Sequence, residues 1–587
     1  MSNKKNTSHT FQIPVMGTGF SIDTPLKVAK YGISSVISLV DDTLIEQMRK
    51  YHSVKNNIPY EFIPKRSGNW RAKRITAYLN LVNRLVKKES KELKESPFNG
   101  KSGISTYFQL LPDSELRSEY LRMKEMPEGE KKNVLQDELR KMISVGSIDV
   151  NIMTKLDTFP VLRGKLLGLK YSEAVAALKG YADSNLHSSM IFSAGMNPRL
   201  FSAVEQYRDF FPDRFGRIKK KIVIKVSDFR SALIQGRIFA RKGIWVSEYR
   251  IESGLNCGGH AFASKGVLMG PVLEEFRKGK VQLMETIVGA FLKSGGNEKA
   301  VADGFKITVQ GGIGTAEEDK FLRDHYGIDK TGWGTPFLLV PEVINIDGRH
   351  LEKLKKAKNT DVYLSHASPL GVLFWNLRDS ASELKRKYRI SIGRPGAPCV
   401  SRHAAFNTEF SEVPLCTASR VYQKMKLAAL KLEKISPELY EKKKQRILAK
   451  SCICHDLAGA ATKALGIDRT AQTALTPGSN IVNFSKVSSL KEMVDHIYGR
   501  MNLLSTRKRP HMFIRELELY IEQFKIKYDD ISLGVVVDEG KKQLIEFGNN
   551  LLEGISYYGD LANRYMTASL VTLKREVLAI NKKIETL

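Results

Sequence analysis

Eight short apolar runs, most of them followed by a stretch of helical periodicity, constrain this chain more than any other feature. The runs are Ile13–Gly17, Ile33–Val40, Ile148–Thr154, Ser188–Ala194, Lys221–Val226, Ile244–Tyr249, Phe305–Gln310 and Pro336–Val340. Strands that alternate with helical crossovers build a parallel sheet, and eight such units close into a (β/α)8 TIM barrel. A doubly wound open sheet is the structural alternative. The alternation is interrupted once, by a polar, helical insertion over about 41–145.

It stops after about residue 350. Residues 351–420 read as a loop-rich connector with Gly, Pro, Ser and Arg, and 421–587 as a mostly helical C-terminal region with amphipathic stretches such as KMKLAALKLEKI. The expected plan is an α/β barrel over 1–350 carrying the insertion, then connector, then helices. A length of 587 residues suits one barrel with large additions. No run approaches the roughly 18 apolar residues of a membrane span, and the polar N-terminus lacks the apolar core of a secretory signal. Five cysteines, an odd number, do not make a disulfide framework. A soluble cytoplasmic protein with no membrane partner is expected.

The formal net charge is +30. It fits either a lysine-rich solvated surface or an acidic partner: RNA, an acyl carrier protein or a phosphorylated substrate. Basic clusters occur at Lys87-Lys88, Lys219-Lys220-Lys221, Lys442-Lys443-Lys444 and Arg507-Lys508-Arg509, without the interleaved aromatics of a base-stacking platform. Nucleic acid is therefore the less favoured partner.

Three stretches carry candidate chemistry. In QGGIGTAEED, after the seventh run, Gly311, Gly312 and Gly314 allow a tight turn against an anion, Thr315 adds a hydroxyl, and a helix N-terminus follows. A second glycine turn, Gly334-Thr335, precedes the eighth run. Turns at the last two strands are where barrels bind phosphate. In GLNCGGHAF, after the sixth run, Gly258 and Gly259 leave His260 uncrowded as a general acid/base. Neighbouring Cys257 reads more readily as a small buried residue than as a nucleophile. The third stretch, PVMGTGF, lets backbone approach a flat ligand at the first strand.

Together, IPVMGTGFSIDTPLKVAKYGISSVIS, NCGGHAF, QGGIGTAEED and GTPFLLVPE resemble the nitronate monooxygenase (2-nitropropane dioxygenase) family, which includes FMN-dependent enoyl-acyl-carrier-protein reductases. The resemblance covers about residues 11–345, by motif order. It implies a TIM barrel with FMN across its C-terminal mouth. Met16, Gly17 and Gly259 would lie against the flavin, Gly311, Gly312, Gly314, Gly334 and Thr335 would hold its phosphate, and His260 would be the acid/base. The sequence departs from the family at Asn256-Cys257, in the insertion and beyond about 350. The implied activity is that of an FMN-dependent oxidoreductase acting on a nitronate or an enoyl thioester, with a small molecule, an acyl thioester or an acidic carrier protein as partner. A basic RNA-binding or RNA-modifying flavoprotein is the alternative.

The connector and the start of the helical region add Cys399, Cys416, Cys452 and Cys454. Four thiolates suit an iron–sulfur cluster or a structural zinc, with His403 or His455 as a substitute ligand for zinc. Convergence of the four on one metal centre is the expectation.

Overall fold

The computed structural model describes residues 9–100, 102–162, 165–252, 254–261, 265–506, 509–535, 540–562 and 569–585. The basic N-terminal stretch, Phe262 and Arg507-Lys508 lie outside the described residues. Eight strands form one parallel sheet: β1 (Phe11–Gln12), β2 (Ser35–Ser38), β3 (Ile148–Ile152), β4 (Ser189–Phe192), β5 (Lys221–Val226), β6 (Val246–Glu252), β7 (Lys306–Gln310) and β8 (Lys330–Gly332). From β2 to β8 each pairs with the next in sequence, and β8 pairs with β1. Closure comes from a parallel bridge between Ile13 and Ser35, with Ile13 N donating to Ser34 O at 2.9 Å and Val36 N to Ile13 O at 3.1 Å. The sheet is a closed barrel, not an open doubly wound one.

Side chains alternate along each strand. In β6, Tyr249 and Ile251 point to the surrounding helices, while Glu248, Arg250 and Glu252 point inward. Buried Arg250 is compensated on the spot: it donates to Glu248 at 2.8 Å and to Gln12 at 3.0 Å. Above the lower polar layer, Val36, Ile191 and Val223 fill the interior as a small apolar cluster.

The eighth strand lies elsewhere than the apolar run suggested. Pro336–Val340 is not a strand; Thr335–Leu339 forms a 3-10 helix, and the ladder runs through Lys330–Gly332. Proline has no N–H and a fixed φ, so this segment cannot occupy a central parallel strand. Gly334-Thr335 consequently follows the last strand instead of preceding it. The first strand is likewise displaced, ending at Gln12, so Pro14–Gly17 is a loop at its C-terminal end.

The insertion comprises α1 (Asp42–Lys55), α2 (Trp70–Glu95) and three further helices, Gly103–Leu110, Glu115–Glu125 and Glu130–Met142. The first two pack on the barrel; the other three enclose their own core around Tyr107, Phe108, Tyr120 and Leu139. The connector is not all loop. It holds an antiparallel hairpin, β9 (Val362–Ser365) with β10 (Phe374–Leu377), and a helix over Ala381–Ser391. Beyond it the chain is mainly helical, including α3 (Ile453–Ala464) and Met512–Ser532. Among the described residues no helix is long and apolar enough to cross a membrane.

His9, just before β1, is buried between Tyr498 Oη at 2.8 Å and Tyr31 O at 3.1 Å. Burial pushes it down from 6.5 to about 4. The fold thus holds a neutral imidazole, whereas the unfolded chain takes up the proton. His9 contributes stability that is present above about pH 6.5 and lost as pH falls through about 4. Urea midpoints between pH 4 and 7 are expected to rise with pH, with a shallower slope in His9→Gln.

Candidate active site at the barrel mouth

The C-terminal ends of the strands converge on a cavity of about 140 Å³. Because strand residues alternate, the last inward positions of β2, β3, β5, β6 and β7 each contribute one group to its wall, Ser38, Asn151, Lys225, Glu252 and Gln310, with Ser193 just after β4. Three of these are wired together. Lys225 Nζ lies 2.8 Å from Glu252, and Gln310 Nε2 donates to Glu252 Oε1 at 2.8 Å. The β1 loop, Pro14–Thr18, forms one side; Ile453, Cys454 and Leu457 of α3, with Phe374 and Thr476, form the roof. Gly19 permits this roofing, since a Cβ there would come within 2.4 Å of Leu457 O.

The GGH loop crosses the mouth and is stitched into the connector. Gly259 N donates to Thr476 O at 3.1 Å, Trp375 N to Gly259 O at 2.8 Å, and Ala261 N to Leu373 O at 2.9 Å. Gly258 has φ +118°, and a Cβ on it would stand 2.2 Å from Thr476 O, so only glycine fits. His260 Nε2 is 2.7 Å from Ser368 Oγ, and its ring meets Phe374 edge-on at 4.9 Å. Burial, with lesser contributions from Lys155 and Lys225, lowers it to about 4. At neutral pH it is an uncharged imidazole facing the cavity.

Of the expected flavin residues, Met16, Gly17, Gly259 and His260 line the cavity; Gly311, Gly312, Gly314, Gly334 and Thr335 do not. The glycine turn already holds an anion, and that anion belongs to the chain. Glu318 accepts from Gly314 N at 2.8 Å, Met512 N at 2.7 Å and Arg509 Nη1 at 2.5 Å. Arg509 also donates to Gly312 O at 2.7 Å, and a Cβ on Gly314 would stand 2.8 Å from its guanidinium. Thr315 is the helix N-cap, accepting from Glu318 N at 3.1 Å. Gly314 and Thr315 therefore serve packing and capping in this fold.

The remaining candidates are also closely packed. A Cβ on Gly311 would meet Leu255 O at 2.4 Å, one on Gly334 would meet Cys257 Cβ at 2.5 Å, and Thr335 Oγ1 donates to Cys257 O at 3.2 Å. Cys257 is buried among apolar groups, which pushes its thiol well up, and it accepts from Gly334 N. It is an inert packing residue.

The cysteines of the connector and of α3 come from four positions to one place. Cys399 is in side-chain contact with Cys416 and Cys452, whose thiols, donating to it, hold it low while being pushed up themselves. Cys454 lies close by, raised to about 12 by burial, and lines the cavity. Among the described residues no group of three or more His, Cys, Asp or Glu side chains is placed to hold a metal ion, so the metal centre expected of Cys399, Cys416, Cys452 and Cys454, iron–sulfur or zinc, is not found. The two histidines weighed as substitutes are engaged elsewhere: His403 lies between Asp41 and Glu173, which raise it to about 10 against the cost of burial, and His455 faces Asp456. Several basic clusters are also committed internally. Lys220 Nζ donates to the carbonyls of Tyr181 and Ser184, while Lys443 and Lys444 pair with Glu433 and Glu441.

The strand-end polar residues Asn151, Lys225, Glu252 and Gln310 escaped the sequence reading, although alternation along an otherwise apolar strand marks such positions. The Glu318–Arg509 pair, 191 residues apart, leaves no local signal.

The fold and site define a closed (β/α)8 barrel whose polar mouth is roofed by its own C-terminal region. No protein-family model matches the chain, and no curated protein matches it. Among solved structures, the chain is similar to nitroalkane oxidase from Streptomyces ansochromogenes, with 10% identity, TM-score 0.36, and coverage of 84% of this chain and 94% of that one. It is also similar to the enoyl reductase domain of MlnA from the macrolactin biosynthesis cluster of Bacillus amyloliquefaciens, with 14% identity, TM-score 0.33, and coverage of 73% and 87%. The barrel itself rests on the strand order described above.

Proposed function

We propose that the chain is a flavin-dependent oxidoreductase, with FMN as the cofactor and a nitronate or an enoyl thioester as the class of substrate. The observation that carries this reading is the neutral His260 facing the Lys225–Glu252–Gln310 group across one cavity at the C-terminal end of a closed barrel. Catalytic groups of barrel enzymes sit at that end.

The fit to FMN differs between its two ends. The ring end suits a flat heterocycle: Met16 and Gly17 offer backbone and thioether on one side, while Asn151, Lys225 and Gln310 offer donors. The phosphate end is closed as folded, because Gly259 N is taken by Thr476 O and the glycine turn by Glu318. A cavity of about 140 Å³ is also below the ~300–1,000 Å³ of ordinary ligand pockets. Binding at this end would need Gly259 N to exchange its Thr476 partner for the phosphate. A bound flavin would supply the two-electron chemistry. The chain's own part is to bind and orient. Lys225, held by Glu252, places positive charge in the wall, and His260, positioned by Ser368, holds or moves a proton at Nε2 or Nδ1.

The test is reconstitution of the purified chain with FMN, followed by desalting and quantification of the FMN released on denaturation. Near one FMN per chain is expected, with weaker retention of riboflavin. A colourless protein after reconstitution, or one that retains nucleic acid in moderate salt and no flavin, overturns the reading.

A further inference from the structure

We infer that an open cleft beside the barrel mouth binds the anionic end of the substrate, a carboxylate or phosphate carried on an apolar chain. The cleft has a volume of about 510 Å³ and shares Lys225 with the barrel-mouth cavity. It lies at the C-terminal end of the barrel, where barrel enzymes hold their substrates: Lys155 follows β3, Gly195 and Met196 follow β4, and Lys225 belongs to β5. The opposite wall is supplied from beyond the barrel, by the turn between β9 and β10 and by Lys527 of the helix Met512–Ser532. Unlike the smaller cavity beside it, the cleft falls within the ~300–1,000 Å³ of ordinary ligand pockets.

The lining carries three lysines and no Asp or Glu. Lys225 is held by Glu252 at 2.8 Å. Lys527 has no ion-pair partner among the described residues. Asp530, on the same helix, is taken by Arg446 and Lys442, and the Lys527 ammonium lies 5.7 Å from the Phe547 ring. Asp228, next in sequence to the lining residue Ser227, is engaged as a helix N-cap, accepting from Ser231 N at 2.6 Å and Ser231 Oγ at 2.8 Å. The stem of Lys155 crosses Gly195, which has φ +119°; a Cβ there would stand 2.7 Å from Lys155 Cε, so glycine makes room for the lysine. Gln235 also lines the cleft, is 4% exposed, and its Oε1 has no hydrogen-bond partner. An unmatched buried amide marks a place for a ligand, and a half-turn of that amide offers an N–H to an anion. The apolar part of the ligand has its own surface in Met196 and Ile234, 52% and 41% exposed, with Val372 and Leu373 alongside. Cations without lining carboxylates, set among apolar side chains, select an amphiphilic anion.

As the place of the substrate's far end, the cleft rests on the oxidoreductase reading; as an anion site it stands without a flavin. Ala261, the neighbour of His260, lines it, and Lys155 and Lys225 are the cations whose field reaches His260. With the reacting carbon beside His260, the rest of the molecule passes Lys225 and meets Lys527 at the outer wall. Lys527 is thus a specificity-determining residue contributed by the C-terminal region.

The experiment is calorimetric titration of the full chain, before and after reconstitution with FMN, with hexanoate, hexyl phosphate and hexanamide. At least one of the two anions is expected to bind at a single site about tenfold or more tightly than the neutral amide, and to weaken as salt is raised. The tighter of the two identifies the head group as carboxylate or phosphate. Lys527→Ala is expected to weaken the anion about three- to tenfold, with Lys527→Arg restoring most of the affinity. Ile234→Glu, which sets a carboxylate at an exposed position of the cleft, is expected to abolish binding. Equal affinity for hexanamide, no binding of either anion, or anion binding indifferent to both Lys527→Ala and Ile234→Glu overturns the inference. Anion binding by a chain that retains no FMN would leave the anion site standing while removing the oxidoreductase reading.

Discussion

His260→Ala is expected to lower turnover by about 10²–10⁴-fold, the loss typical of a missing general acid/base, with FMN content unchanged. The side chain touches the cavity, and its hydrogen bond to Ser368 Oγ fixes the ring. Burial together with the positive field of Lys155 and Lys225 keeps it neutral down to about pH 4, so the proposed acid/base would enter the reaction as a base or as a neutral donor. A histidine with an ordinary value would lose its basic form through pH 6.5. Here the acid limb of the rate profile is expected near pH 4, and Ser368→Ala is expected to weaken the rate less than His260→Ala does. Steady-state kinetics on an alkyl nitronate and on an enoyl thioester, from pH 4 to 9, provide the check. An alanine variant that loses FMN but turns over normally once reloaded would make this histidine structural.

Arg509→Ala is expected to cost about 3–5 kcal/mol, the range for removing one partner of a buried ion pair. The side chains of Arg509 and Glu318 are 6% and 3% exposed, and the guanidinium also ties Gly312 O to Asn480. Without it, Glu318 keeps two backbone N–H donors but no counter-charge, and a space opens beside Gly314. Urea unfolding measures the cost. A loss below about 1 kcal/mol would show that the carboxylate is already hydrated and that the turn is not sealed. The variant also bears on cofactor binding, since freeing the glycine turn is expected to alter FMN affinity in a chain that still folds.

Sequence alone revealed most of the barrel because buried parallel strands are runs of apolar residues, as in KIVIKV and KITVQ. It misplaced the last strand because PFLLV has the right composition and the wrong backbone; Pro336 is decisive, and the true strand, Lys-Thr-Gly, has no apolar signature. At the mouth, the glycine motifs identified the correct end of the barrel. They did not reveal what lies against them, because Arg509, Asn480 and Thr476 arrive from distant parts of the chain. A glycine turn before a helix reads the same whether it faces a phosphate or an internal carboxylate. The GGH motif was legible as a strand-end loop, whereas its pairing with the β10 edge follows from the hairpin, whose strands are short. The cysteines were visible by count, but their contact with one another and with the cavity was not.

The roof formed by α3 and Thr476 makes the last quarter of the chain part of the mouth. A fragment ending near residue 350 would keep all eight strands and every motif that suggested a flavin, but not Cys399, Cys416, Cys452 and Cys454. It would nevertheless present the Gly258–Gly259 backbone and one flank of the β1 loop to water. Mutations selected for activity should accordingly accumulate on both sides of residue 350, and grafting this barrel's strands into another protein would transplant a floor without its ceiling.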